Sequence, residues 1–482
     1  MAFQSGQFFV LFLSALLLYY LVPARLKNLV LLCAGVIFYA GAGTKYLLLL
    51  AVAVVLSYAA GLGVGAVRSA GVRRALFVAA LVLLFGNLAM FKYYDALCAG
   101  LFQGLPALGL TAPLGVSFYT FTMSGYLIDV YQKVQQPEKN LLRYAVFVSF
   151  FPLIASGPIE RGSTLLHQFD GPRPFVYENF AAGAARILWG FFKKFVVANL
   201  IAVPVDRVFA DLTAYTGPYL ALAALLYSYQ LYCDFSGYSD IAIGVARTFG
   251  ITVRENFARP FAARSFTELW RRWHMSLTGW FRTYIYFPLG GSRKGTLRTY
   301  CNTLVVFLVS GIWHGAGLTF ALWGLLNGVY MVAGRLTARV RARLAGHNPL
   351  YRNRTVKAVL QIACVYLLFT SCIVLFRAQS MRDALYLYGH LFTGWGAALA
   401  APGTVIATLK GLNIGRVFLL LCGGGAALTE LVEWRAAAAK LTSGEWMQTR
   451  PAYVRLPLYY ALLLLLAFYG VLGASSFIYF QF

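Results

Sequence analysis

Five histidines occur in this 482-residue chain, and two of them stand where an imidazole could do chemistry. His314 lies in Gly311-Ile312-Trp313-His314-Gly315-Ala316-Gly317, where the glycines leave room for a substrate or a second helix to approach the ring. Imidazole titrates near neutrality, so with a hydroxyl in reach it can take the proton as general base while the oxygen attacks an activated acyl carbon. His274 lies upstream in Trp270-Arg271-Arg272-Trp273-His274-Met275-Ser276-Leu277 and is placed to assist. Each has a plainer reading. His314 could simply hydrogen-bond two helices together, and His274 could be an interfacial histidine beside tryptophans. His167, His347 and His390 read as polar or loop residues.

A second polar cluster runs from Tyr229 to Asp240 and carries Asp234, Ser236, Tyr238 and Asp240 inside an apolar stretch. A buried carboxylate needs hydrogen-bond donors or a cation. The two aspartates are six residues apart, so on one helix they point in different directions and do not form a paired-carboxylate site. Their spacing also misses the calcium-loop pattern. A network that pins helices around a cavity is the favoured reading, and these four residues are also candidates for touching the donor or substrate.

The elements that position these residues follow from composition. Of the chain, 60% is hydrophobic and 12% charged, against about 45–50% and about 25% in soluble domains. So little charge cannot coat so large an apolar mass, which excludes an ordinary soluble enzyme and makes lipid part of the solvent. The net charge of +25 is read as the basic bias of cytoplasmic loops rather than as a nucleic-acid surface. Seven scattered cysteines without a CxxC pair read as reduced core residues, with no metal site.

The opening stretch lacks the basic end of a signal peptide and reads as a retained first span with the N-terminus periplasmic. An apolar run to about Ala42 and spans at 46–67 and 75–91 follow, then apolar segments at 114–131, 142–158, 183–203, 219–250, 300–334, 356–376, 412–432 and 456–474, some too short or interrupted to be plain spans, giving about eleven crossings with several partial ones in an all-α bundle. FVSFFPLIASGPIE is a candidate re-entrant element, and Lys193 and Lys194 suggest an interfacial helix with snorkelling lysines. One integral-membrane domain is expected, with N-terminal spans over 1–112 and a core over 113–482.

Two basic regions, 254–298 and 335–357, should face the cytoplasm, so the apolar stretch 299–334 between them must enter and return as a hairpin. Its first arm, from Thr299 to Trp313, is roughly 22 Å of helix, short of the roughly 30 Å of hydrocarbon, which places His314 within the membrane. Arg271, Arg272, Trp273 and Trp313 are candidates for contacting an incoming donor.

YCDFSGYSDIAIGVARTFGI, ENFARPF, SFTELWRRWHMSLTGWFRTYIYFPLGG, GIWHGAGLTFALWG and the terminal SFIYFQF together resemble the membrane-bound O-acyltransferase family, in its bacterial alginate O-acetylation branch. D-alanyl transfer in teichoic-acid modification is a more distant likeness. The resemblance runs from about Leu114 to the C-terminus. It implies a multi-helix bundle around a central funnel or tunnel, with the family's histidine at His314 and its second polar position at His274. It further implies a cytoplasmic acetyl-CoA or acyl-carrier thioester as donor substrate, no bound cofactor, and a periplasmic partner of the SGNH type serving a polysaccharide-synthesis machinery. Bacterial inner-membrane location follows. The rival readings are a transporter or channel for an anionic substrate, for which matching broken segments in two halves are not found, and a scaffold in which both histidines are dispensable.

Overall fold

The computed structural model describes residues 3–100, 106–171, 173–347, 349–471 and 477–478. Among these the chain is helix and turn with no strand, as suits a backbone that must satisfy its own polar groups in hydrocarbon. Six helices are long and apolar enough to cross a membrane: Thr44–Ala66, Ala70–Cys98, Tyr177–Ala210, Arg354–Arg377, Arg416–Ala438 and Ala452–Tyr469. Each overlies an expected apolar segment, Tyr177–Ala210 covering the 183–203 stretch expected as an interfacial helix. The other apolar stretches form helices that fall short in length or apolarity, among them Gly6–Leu21 at 16 residues. Large side chains stand exposed on these helices, such as Leu48, Val82, Leu420 and Phe468, which is the surface of a protein whose outer solvent is lipid.

The chain forms two compact units, Met1–Ile187 with Tyr238–Glu255, and Leu188–Gly237 with Asn256–Phe482. In the first, helix Leu141–Ser149 stops at its caps, and residues 150–157 continue as buried turns whose amides bond internally, Leu153 N–H to Phe150 O at 2.8 Å and Gly157 N–H to Leu153 O at 2.9 Å. The Pro-Gly-Pro content of this segment thus ends a helix, and protein covers the freed backbone. Arg186 is a buried cation of this unit. It donates to Asp240 at 2.9 Å and, bidentately, to Glu255. Gly183 and Gly244 let the two segments carrying these residues meet, since a Cβ on either would lie 2.7 Å from the other's carbonyl oxygen.

The second unit holds both chemical histidines. Residues Phe192–Ala198 are wound as a π-helix, and such a bulge rotates neighbouring side chains off the regular helical stripe. Lys193 and Lys194 are consequently both buried rather than snorkelling, which corrects the interfacial expectation. Lys193 reaches Glu433 at 3.0 Å, and Lys194 pairs with Asp234. Glycine permits the approach: a Cβ at Gly237, one helical turn beyond Asp234, would sit 2.8 Å from Gly190 O and 3.0 Å from Lys194 N. Of the cysteines, Cys33, Cys301 and Cys364 are exposed, so the core assignment holds only for Cys98, Cys233, Cys372 and Cys422.

The hairpin is present. Its first arm is Thr296–His314 and its second Leu318–Leu336. Gly311 and Gly324 make the crossing: a Cβ on Gly311 would meet Phe320 O at 2.3 Å, and one on Gly324 would meet Phe307 O at 2.2 Å. The first arm is longer than expected, because Thr296, Leu297 and Arg298 continue the helix, and its 19 residues span roughly 28 Å. Length alone therefore no longer puts His314 at mid-membrane.

Candidate active site

His314 is the last residue of the first arm, and the chain leaves the helix at Gly315 in an extended conformation. The ring is buried against three aromatics, with centroids 4.7 Å from Trp313, 4.9 Å from Trp323 and 5.2 Å from Phe376, the last two edge-on. Of its framing glycines, Gly311 and Gly315 make room for the second arm, Gly315 through the Phe320 ring, and a Cβ on Gly317 would stand at ordinary contact distance from Thr319 and Phe320. A helix therefore occupies most of the room that those glycines provide.

His274 is not interfacial. It is 1% exposed and lies between the short helices Phe266–Arg272 and Met275–Phe281, with φ +42° and ψ +54°. A non-glycine residue in the left-handed region costs about 1–2 kcal/mol, and strain of this kind clusters at functional sites. The turn is held from outside. Asn256, fully buried, accepts from the Met275 N–H through its carbonyl at 2.9 Å and from the Ser276 hydroxyl through its side chain at 2.7 Å. Phe235 sets its ring edge-on to His274 at 4.6 Å, and its neighbour Asp234 accepts from Lys194 and from the Ile478 N–H.

Three aromatic links join the His274 segment to the cage around His314. Trp270 meets Trp323 at 6.0 Å. Trp273 meets Phe369 at 4.8 Å, on the helix that presents Phe376 to His314. Phe281, at the far end of Met275–Phe281, meets Trp313 at 6.4 Å. Trp313 and Trp273 are thus cage and core residues. Arg272 is engaged by Glu268 and by the Arg259 carbonyl, which leaves Arg271 as the exposed guanidinium of the pair.

The Asp234 to Asp240 cluster divides between the two units. Asp234 belongs to the second unit with the histidines, and Ser236 is buried beside it. Tyr238 and Asp240 belong to the first, where Tyr238 stacks on Phe3 at 4.6 Å and Asp240 holds Arg186. Sequence reasoning missed Asn256, Trp323 and Phe376. Asn256 opens the string ENFARPF, but nothing in that string reveals a partner 20 residues away.

Burial pushes the His274 imidazole down from its usual range to about 3, so the native ring stays neutral while an unfolded one takes up a proton below about pH 6.5. The stability from burying it is whole above that pH and is lost as pH falls toward 3, by up to about 1.4 kcal/mol per unit. Melting temperature in detergent should therefore fall more steeply from pH 7 to pH 5 in the wild type than in His274→Gln. Parallel slopes would remove this assignment.

The buried His314 ring in its aromatic cage and the strained turn at His274 thus lie in one continuous aromatic network. The membrane-bound O-acyltransferase family model matches residues 135–379. The chain is 40% identical over 404 residues to the Pseudomonas putida protein named "Probable alginate O-acetylase AlgI", covering 82% of this chain and 80% of that one. It is 32% identical over 402 residues to the Helicobacter pylori peptidoglycan O-acetyltransferase, covering 76% and 75%. With the Bacillus subtilis teichoic acid D-alanyltransferase it shares 29% identity over 246 residues, covering 47% and 60%. The chain belongs to the membrane-bound O-acyltransferase family. It is a membrane-embedded O-acyltransferase, and the transporter reading falls.

Proposed function

We propose that this protein takes an acetyl group from a cytoplasmic thioester and passes it through the inner membrane for O-acetylation of an exported polysaccharide such as alginate, delivered by a periplasmic partner. The N-terminus faces the periplasm. His314 takes the proton of the acceptor hydroxyl, the oxygen attacks the thioester carbonyl, the C–S bond breaks and the proton passes to the departing thiolate. The observation that carries the reading is the caged His314: water is kept from the site, so the activated acyl group is not hydrolysed. His274 orients the cage from its strained turn, while Asp234 and Ser236 brace the helix that carries Phe235.

Complementation tests the acceptor. Expression in a Pseudomonas host lacking its own alginate O-acetylase should restore acetyl esters on secreted alginate. Alginate left bare while peptidoglycan gains esters, or a cell-wall polymer gains D-alanine, would move the chain to one of the other branches.

Exposed Arg271 is assigned to steering the donor, whose phosphates or acidic carrier surface would meet it. Arg271→Gln should raise the apparent donor KM by about threefold at low salt, as expected for an exposed charge, with kcat unchanged. The difference should shrink as salt rises. An unchanged KM at low salt would return Arg271 to lipid anchoring.

A further inference from the structure

A cavity of about 690 Å³ lies between the second hairpin arm and the helix Arg354–Arg377 and is separate from the His314 cage. Along Arg354–Arg377 its lining residues include Lys357, Gln361, Cys364, Val365 and Leu368. That spacing marks a single helix face, and it runs about 16 Å from a charged end to an apolar one. The opposite wall repeats the gradient, from Tyr330 through Gly334 to Arg341, and Arg264 adds a third cation. Among the described residues no carboxylate lines the cavity. Arg341, on the helix Ala338–His347, donates to Thr337 Oγ1 at 3.1 Å and to the Gly334 carbonyl at the end of the second arm, neither of which carries a negative charge.

The cavity has an apolar edge. Leu360 lines it and is 40% exposed, and Leu367, about a quarter turn round the same helix from Leu368, is 58% exposed. An occupant must therefore carry negative charge at one end, carry hydrocarbon at the other, and enter from the bilayer. Basic pockets between membrane helices hold anionic headgroups in this way. A thioester donor fits less well, because the apolar end stops at Leu368, about 12 Å along the helix from the Phe376 that touches His314.

We propose that this cavity binds an anionic phospholipid, with its phosphate among Arg264, Arg341 and Lys357 and an acyl chain along Val365 and Leu368. A bound lipid of this kind would fix the second arm against Arg354–Arg377, the two elements that present Trp323 and Phe376 to His314.

Cys364 lines the cavity and is exposed, so it reports occupancy directly. With Cys33 and Cys301 changed to Ser, the protein in nanodiscs is labelled by an uncharged maleimide. Adding phosphatidylglycerol to phosphatidylcholine discs should slow labelling of Cys364 about fivefold. Each cation at an anionic headgroup is worth about fivefold in affinity, so Arg341→Gln with Lys357→Gln should weaken binding about 25-fold and abolish the protection, while His314→Ala keeps it. Equal labelling in both bilayers overturns the proposal, as does protection by coenzyme A in phosphatidylcholine discs with none from phosphatidylglycerol. Native mass spectrometry of the wild type does not depend on how the double variant folds: phosphatidylglycerol should be retained over phosphatidylcholine from mixed micelles, and equal retention is the contrary result.

Discussion

Asp234→Ala is expected to keep the protein from accumulating in folded form. Asp234 and Lys194 are both almost wholly buried and paired. Removing the carboxylate strands an ammonium ion where water cannot reach it, a change that costs about 3–5 kcal/mol, much of a typical domain's net stability. It also removes the acceptor for the Ile478 N–H and loosens the helix turn that sets Phe235 against His274. Lys194→Met combined with Asp234→Leu removes both charges at similar volume and should recover most of the loss, because apolar replacement of a whole buried pair is often close to neutral. Melting temperature and monodispersity in detergent are the readouts. A wild-type melting curve for Asp234→Ala would show that the pair does not carry the load assigned to it.

His314→Ala is expected to do the opposite, leaving the fold and removing the chemistry. The side chain sits at a helix end in an aromatic cage, and its loss opens a cavity without stranding a charge. Membrane insertion and melting should stay near wild type. Acyl transfer should fall by about 10²- to 10⁴-fold, the usual contribution of a positioned general base. His314→Gln, which keeps a hydrogen-bonding side chain, separates the roles: a base is not replaced by an amide, whereas a purely structural histidine would be.

Which parts of this arrangement could be read from sequence depended on whether the controlling contact was local. The hairpin and both histidine strings were legible because glycine spacing and hydropathy are local signals. So was the divergence of Asp234 and Asp240, whose six-residue spacing on one helix sends them to Lys194 and Arg186. The burial of Lys193 and Lys194 was not, since a π-helix at Phe192–Ala198 leaves no residue-type signature and Glu433 lies 240 residues away. Nor was the left-handed turn at His274, because no glycine marks it and the Asn256 that holds it is remote in sequence. The end of the first arm was misjudged because polar residues at an interface can continue a helix as readily as end it.

The central claim is that acyl transfer from a cytoplasmic thioester runs through His314. Inside-out membrane vesicles from a host that supplies the periplasmic partner, enclosing acceptor polymer and given labelled acetyl-CoA externally, test it most directly. The account predicts ester-linked label on the enclosed polymer with the wild type and about a hundredfold less or lower with His314→Ala, at equal protein and equal vesicle integrity. Equal labelling by both proteins would contradict it.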